Sequence, residues 1–141
     1  MKTLKAMMVG MALLLVCGIS QAAPSGHGNS TKDQAIDTYL NAVVHGNLSG
    51  IDEAIDDDAQ FDMKRGERVN TLTKTQVIDA LKSNQGVEQD CQCVKTVVQD
   101  DDLKKVIRVD MKYTDYTRTD VITTEPAGNG WKITKVETSF K

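Results

Sequence analysis

Within Lys105-Val106-Ile107-Arg108-Val109-Asp110-Met111-Lys112-Tyr113 the residues from Ile107 on alternate, with Ile107, Val109, Met111 and Tyr113 on one side and Arg108, Asp110 and Lys112 on the other. Successive side chains leave an extended backbone in opposite directions, so this period of two predicts a strand with one buried and one wetter face. The same reading extends outward. Residues 91–99 form a strand ahead of it, across the turn Asp100-Asp101-Asp102, where aspartates suit turn chemistry. Residues 116–124 and 131–140 follow, flanking the loop Glu125-Pro126-Ala127-Gly128-Asn129-Gly130. Strands joined in succession by short turns predict an antiparallel meander.

Upstream the period changes. Ser30 or Thr31 can cap a helix, with Gln34 closing a capping box on Thr31. Ile36, Tyr39, Leu40, Val43 and Val44 recur at helical spacing, and Gly46 stands where a left-handed residue ends the helix. A short second helix is expected from Ser49 through Ile51, Ala54 and Ile55, stopping in Asp56-Asp57-Asp58. Residues 59–64 and 67–72 read as strands about Arg65-Gly66. Thr73 and Gln76 make a second capping box for a third helix that turns Val77, Ile78 and Leu81 inward and runs out at Ser83-Asn84-Gln85-Gly86. Helices grouped before a meander give an α+β layout, with three N-terminal helices packed on an antiparallel sheet.

The chain opens with Lys2 and Lys5 ahead of an apolar run from Met7 to Ile19, too short for a comfortable membrane span. Ser20-Gln21-Ala22 places small residues at −3 and −1 of a cleavage point. Residues 1–22 therefore read as a signal peptide, 23–30 as a flexible leader containing His27, and 31–141 as one domain. The expected destination is the periplasm or the exterior, with no stable membrane anchor after cleavage. A lipoprotein anchored at Cys17 is the alternative, opposed by Val16, where a lipobox wants a small residue.

The full chain has 17 Lys+Arg and 20 Asp+Glu; losing Lys2 and Lys5 leaves 15 against 20, a net charge near −5. That balance argues against nucleic acid, whose phosphates call for clustered cations. Asp52, Glu53, Asp56, Asp57 and Asp58 lack the alternation and glycine of a calcium loop, so no metal is expected there. Nor does any motif imply a cofactor. Cys91 and Cys93, two apart on a strand, share a face, at the upper edge of disulfide reach. A strained local bridge is expected, against reduced buried thiols or a covalent dimer.

Residues 35–40 (Ala35-Ile36-Asp37-Thr38-Tyr39-Leu40) through Gly46-Asn47-Leu48, then Asp58-Ala59-Gln60-Phe61, resemble the amino-terminal half of the nuclear transport factor 2-like superfamily. Thr119-Asp120-Val121 and Gly130-Trp131-Lys132-Ile133 are similar to its small secreted branch labelled lumazine-binding. The resemblance spans about residues 31–140. It implies a cone: a strongly curved antiparallel sheet closed by three helices around a cavity, in a domain that is often a homodimer. In ketosteroid isomerase, a member of that superfamily, a first-helix tyrosine donates to an oxyanion, and Tyr39 matches it. The position of that enzyme's base is held here by Met63. Asp62 is adjacent, but one residue along a strand turns a side chain to the opposite face. The aspartate that assists the oxyanion has no match.

The candidate pocket residues are Tyr39, Phe61, Met63, Arg108, Asp110, Lys112, Arg118 and Asp120. The charged five alternate on neighbouring strands, so several share a face, either as a solvated ladder of ion pairs or as lining for an anionic or heterocyclic ligand. His45, in the last turn of the first helix, is a capping residue or a base at the mouth of the cone. Three functions follow as expectations: a small-molecule binder, a non-catalytic dimeric interaction module, or a small lyase or isomerase using Tyr39.

Overall fold

A computed structural model describes residues 13–15, 31–128 and 130–141. The cleavage site, the leader with His27, and Cys17 lie outside the described residues.

The first helix, α1 (Lys32–His45), begins with the capping box: Thr31 accepts from the Gln34 backbone, and the Gln34 side chain accepts from Thr31. Gly46 ends it at φ 66, as expected. The position excludes a side chain twice over, because a Cβ there would lie 2.6 Å from the Gly86 backbone nitrogen, which donates to the Gly46 carbonyl. The second helix is shorter than expected: α2 (Ile51–Ala54) gives way at Ile55 to a long strand. Asp56, Asp57 and Asp58 thus lie in a strand, not at a helix end. The register of that strand slips against its neighbour between Ile55 and Gln60, and such an irregularity lets successive acidic side chains reach water. Thr73 and Gln76 form the second capping box, at the start of α3 (Lys74–Ser83).

In chain order the strands are β1 (Leu13–Leu15), β2 (Ile55–Arg65), β3 (Arg68–Thr73), β4 (Gln92–Asp100), β5 (Lys105–Lys112), β6 (Thr117–Ala127) and β7 (Gly130–Phe140). β2 to β7 form a six-stranded open curved sheet, and β1 adds three residues of the N-terminal apolar run to its β4 edge. The spatial order is β1-β4-β5-β6-β7-β2-β3. The meander is as the alternation requires, β4 to β7 pairing antiparallel in succession.

The expectation of a wholly antiparallel sheet needs correcting, since β2 runs parallel to β7. Turn chemistry reports hairpins only. A parallel pair needs a long crossover, and here it joins segments at opposite ends of the domain. β6 also continues to Ala127, carrying the ladder into residues read as loop through the pairs Glu125–Lys132 and Pro126–Trp131.

All three helices pack on one face, called the inner face below. Ile36, Tyr39, Leu40, Ile78, Ile107, Val109, Met111, Ile122, Ile133 and Val136 are buried there. Val43, Val77 and Leu81, expected inside, are half-buried against this core. At the start of α1, Lys32 pairs with Asp100, and Asp33 pairs with the buried Lys105. These two ion pairs tie the helix to the β4–β5 turn.

Candidate functional site

A polar cluster lies within this apolar interior. In β6, the alternation that buries Ile122 and Thr124 also carries Asp120 and Arg118 onto the inner face. Asp120 is 0% exposed. Its carboxylate accepts from Arg118 Nε at 2.9 Å, Arg118 Nη2 at 3.0 Å, Tyr39 Oη at 3.0 Å and Thr138 Oγ1 at 2.8 Å, two donors to each oxygen. Helix α1 delivers Tyr39 from above, and Thr138, opposite Asp120 in β7, closes the ring.

Burial, followed by the charge of Asp120, holds the Tyr39 phenol far above its ordinary value of 10.0, so it remains a neutral donor. Burial alone would lower Arg118, but the Asp120 carboxylate outweighs it and keeps the guanidinium charged. A buried carboxylate with every lone pair engaged is fixed in place and is poorly suited to taking a proton from a bound molecule. The chemistry left to the cluster is donation.

Arg118 retains capacity for it. Nε and Nη2 are committed to Asp120, and Nη2 also lies 3.5 Å from Tyr39 Oη. No hydrogen bond among the described residues uses Nη1. No buried side-chain nitrogen or oxygen among them lacks a partner, and the Arg118 side chain is 21% exposed, so Nη1 meets solvent.

Around that edge the ends of four strands gather. Arg118 sits opposite Met111 in β5 and Phe140 in β7. Tyr113 and Tyr116 stack with centroids 4.6 Å apart and planes 11° from parallel. Tyr116 meets Phe140 at 6.1 Å, and the Arg65 guanidinium lies 4.9 Å from the Phe140 ring. Tyr113 Oη donates to Gln89 at 3.3 Å, and burial raises its phenol above the ordinary value.

The structure brings together Tyr39, Phe61, Met63, Arg118 and Asp120 from the expected set. Phe61 lies 6.4 Å from Tyr39, ring to ring, and Met63 sits opposite Thr138. Arg108, Asp110 and Lys112 are on the other face. There Arg108 pairs with Asp110 at 3.3 Å, Thr119 donates to Asp110 at 2.6 Å, and Lys112 is exposed. Asp62 also faces away from Tyr39; hydrogen bonds from Gln60 and Thr71 hold it below the usual carboxylate range. His45 pairs with Glu88. The Cys91 and Cys93 sulfurs share a face as expected but lie 3.9 Å apart, almost twice a disulfide bond length.

Sequence reasoning left Asp120 without Tyr39 as its partner and omitted Thr138, Tyr113, Tyr116, Phe140 and Arg65 from the site. One signal was present: counting back in twos from the apolar Ile122 places Asp120 and Arg118 inside.

An α+β domain with helices on one face of an open curved sheet and polar groups between them defines a class of small domains. Comparison with solved structures identifies the particular fold as nuclear transport factor 2-like. A protein of unknown function from Silicibacter pomeroyi superposes with a TM-score of 0.61 at 12% identity, over 77% of this chain and 92% of that one. One from Shewanella baltica, also of unknown function, gives 0.60 at 10% identity, over 77% and 90%. A nuclear transport factor 2-like protein from Cytophaga hutchinsonii gives 0.57 at 16%, over 74% and 91%. Comparison with sequence-family profiles gives no match, and comparison with curated proteins gives none.

Proposed function

We propose that this chain is an exported, non-catalytic domain that binds a small molecule between the sheet and the helices, at the end where β5, β6, β7 and β2 expose their inner faces. The observation that carries this reading is Arg118: a guanidinium fixed on two sides by a buried carboxylate, with its third nitrogen open to solvent. A surface arginine loses conformational entropy when it grips a ligand, whereas one already held loses little. Binding, not turnover, suits a cluster whose carboxylate is saturated and in which Met63 occupies the base position implied by the resemblance.

Native mass spectrometry of protein taken from its own producing cells tests the reading. A retained small molecule in substoichiometric or full amount is expected. Protein that is consistently bare, and that shows no change in melting temperature across a small-molecule library, sinks it.

A dimeric interaction module is the second reading. Val97, Val98 and Leu103, at the β4–β5 turn, are 48%, 60% and 77% exposed, an apolar group that a second copy would cover. The same native spectra report the oligomer.

A further inference from the structure

We infer that the ligand is an aromatic carboxylate, its anionic end on Arg118 Nη1 and its ring against Tyr116 and Phe140. The inference rests on the binding reading above and specifies the class of molecule bound.

The first argument concerns charge. The inner face of the sheet end holds two cations, Arg118 and Arg65. Asp120 neutralises Arg118 from within, yet the open edge still presents two N–H donors outward. Arg65 lies over Phe140 and forms no ion pair among the described residues. Two guanidinium groups against one exposed carboxylate, Asp115 in the Tyr113–Tyr116 turn, leave this edge positive in a chain of net charge −3, which favours anions. A neutral ligand would gain little from Nη1, because water already satisfies it.

The second argument concerns shape. With Nε and Nη2 taken, Arg118 cannot offer the two-pronged fork that grips a phosphate or carboxylate side-on. Only the two hydrogens of a single nitrogen remain. One of them donates end-on to a carboxylate oxygen, and a single guanidinium already neutralised by Asp120 compensates a multiply charged phosphate poorly.

The third argument concerns the walls. Tyr113, Tyr116 and Phe140 form a continuous aromatic row beginning beside Arg118, and Tyr116 is 44% exposed. Tyr116 and Phe140 touch with their planes 47° apart, so a flat ring would lie on the outer, solvent-facing surface of Tyr116 and reach Phe140 at its edge. Arg65, stacked beyond Phe140, extends the row and adds positive field at its far end. A carboxylate alone would leave this row wet; an aromatic ring alone would leave Nη1 unused.

The probes are 2-naphthoate, its neutral analogue 2-naphthamide, and inorganic phosphate, titrated calorimetrically into the protein as purified from its producing cells. Naphthoate is expected to bind at least about tenfold more tightly than the amide, the worth of one charge-assisted hydrogen bond, with phosphate weaker still. Arg118→Gln would leave Asp120 uncompensated and unfold the domain, so the decisive variants are on the surface. Tyr116→Ala and Arg65→Ala should each weaken naphthoate by about threefold to tenfold while the domain stays folded, with only a small drop in melting temperature from the lost ring contacts. Arg65→Ala should leave the amide unaffected. Equal affinity for acid and amide, tighter binding of phosphate, no binding of naphthoate, or indifference to both variants overturns the inference. Native spectra separate the two readings. A retained neutral molecule preserves the binding function while refuting this ligand class, and a bare protein refutes both.

Discussion

The two faces of β5 and β6 carry the same residue types in nearly the same arrangement. On the inner face, Arg118 and Asp120 are two residues apart and joined to a threonine and a tyrosine. On the outer face, Arg108 and Asp110 are two apart and joined to Thr119. Only the side of the sheet differs. Inside, the carboxylate has lost all its water and received four donors in return. Outside, Arg108 is 48% exposed and Asp110 18%, so the pair keeps part of its water and is expected to contribute less than the fully buried one. A charged residue's role here follows from the parity of its position in the strand, not from its identity or its neighbours in sequence.

The most severe way to test this contrast is to delete the two aspartates in turn. Asp120→Ala strands a half-buried guanidinium and orphans Tyr39 and Thr138, and is expected to cost about 3–5 kcal/mol in urea unfolding. Asp110→Ala, which frees a half-exposed arginine and the Thr119 hydroxyl, should cost about 1–2 kcal/mol, well below the Asp120 variant. Comparable losses would break the distinction. Leu40→Ala, beside Tyr39 on α1, provides an apolar reference at about 2–5 kcal/mol, since it opens a cavity in the same layer. Tyr39→Phe removes one of the four donors and nothing else; about 1–3 kcal/mol is expected. A larger loss would mean that the four bonds act as a unit, which sharpens the contrast.

The smallest effect concerns acid. Lys32 first, with help from Lys105, holds the Asp100 carboxyl below its ordinary 3.8. A depressed folded value means that the stabilisation is present above the unfolded value and is lost as pH falls through the folded one. The melting temperature should therefore dip below about pH 4 in the parent. Asp100→Asn should start lower and show less of that dip. An identical profile for the two proteins would remove the tether between α1 and the β4–β5 turn from the account.

Much of the fold was legible because its signals are local. Both capping boxes, the glycine at 46 and the alternation in β5 are decided within a few residues, and each stands where the sequence places it. The parallel partnership of β2 with β7 was not legible, since nothing near either strand encodes the other. Nor was the continuation of β2 back to Ile55: Ile51, Ala54 and Ile55 fit one helical face as well as a helix followed by a strand. At the site, Tyr39 and Asp120 were each recognisable as unusual. Their contact spans 81 positions and depends on how α1 lies across β6. The aromatic row draws on the ends of separate strands, which no single stretch of sequence announces.

β7 occupies a place in the sheet at odds with its place in the chain. Among the described strands it is the last to be synthesised, yet it sits between β6 and β2. Until it arrives, the β2–β3 hairpin and the β4–β6 meander are two separate pieces, neither with a complete face on which α1 can settle. The ordering cost of bringing residues 55–65 to residues 130–140 must be met before any of the β2–β7 pairing is gained. Such a chain should fold late and all at once, in milliseconds or slower, only after the whole domain is available. A ribosome-bound chain stalled before β7 should be fully sensitive to protease, whereas one stalled well beyond Phe140 should be resistant.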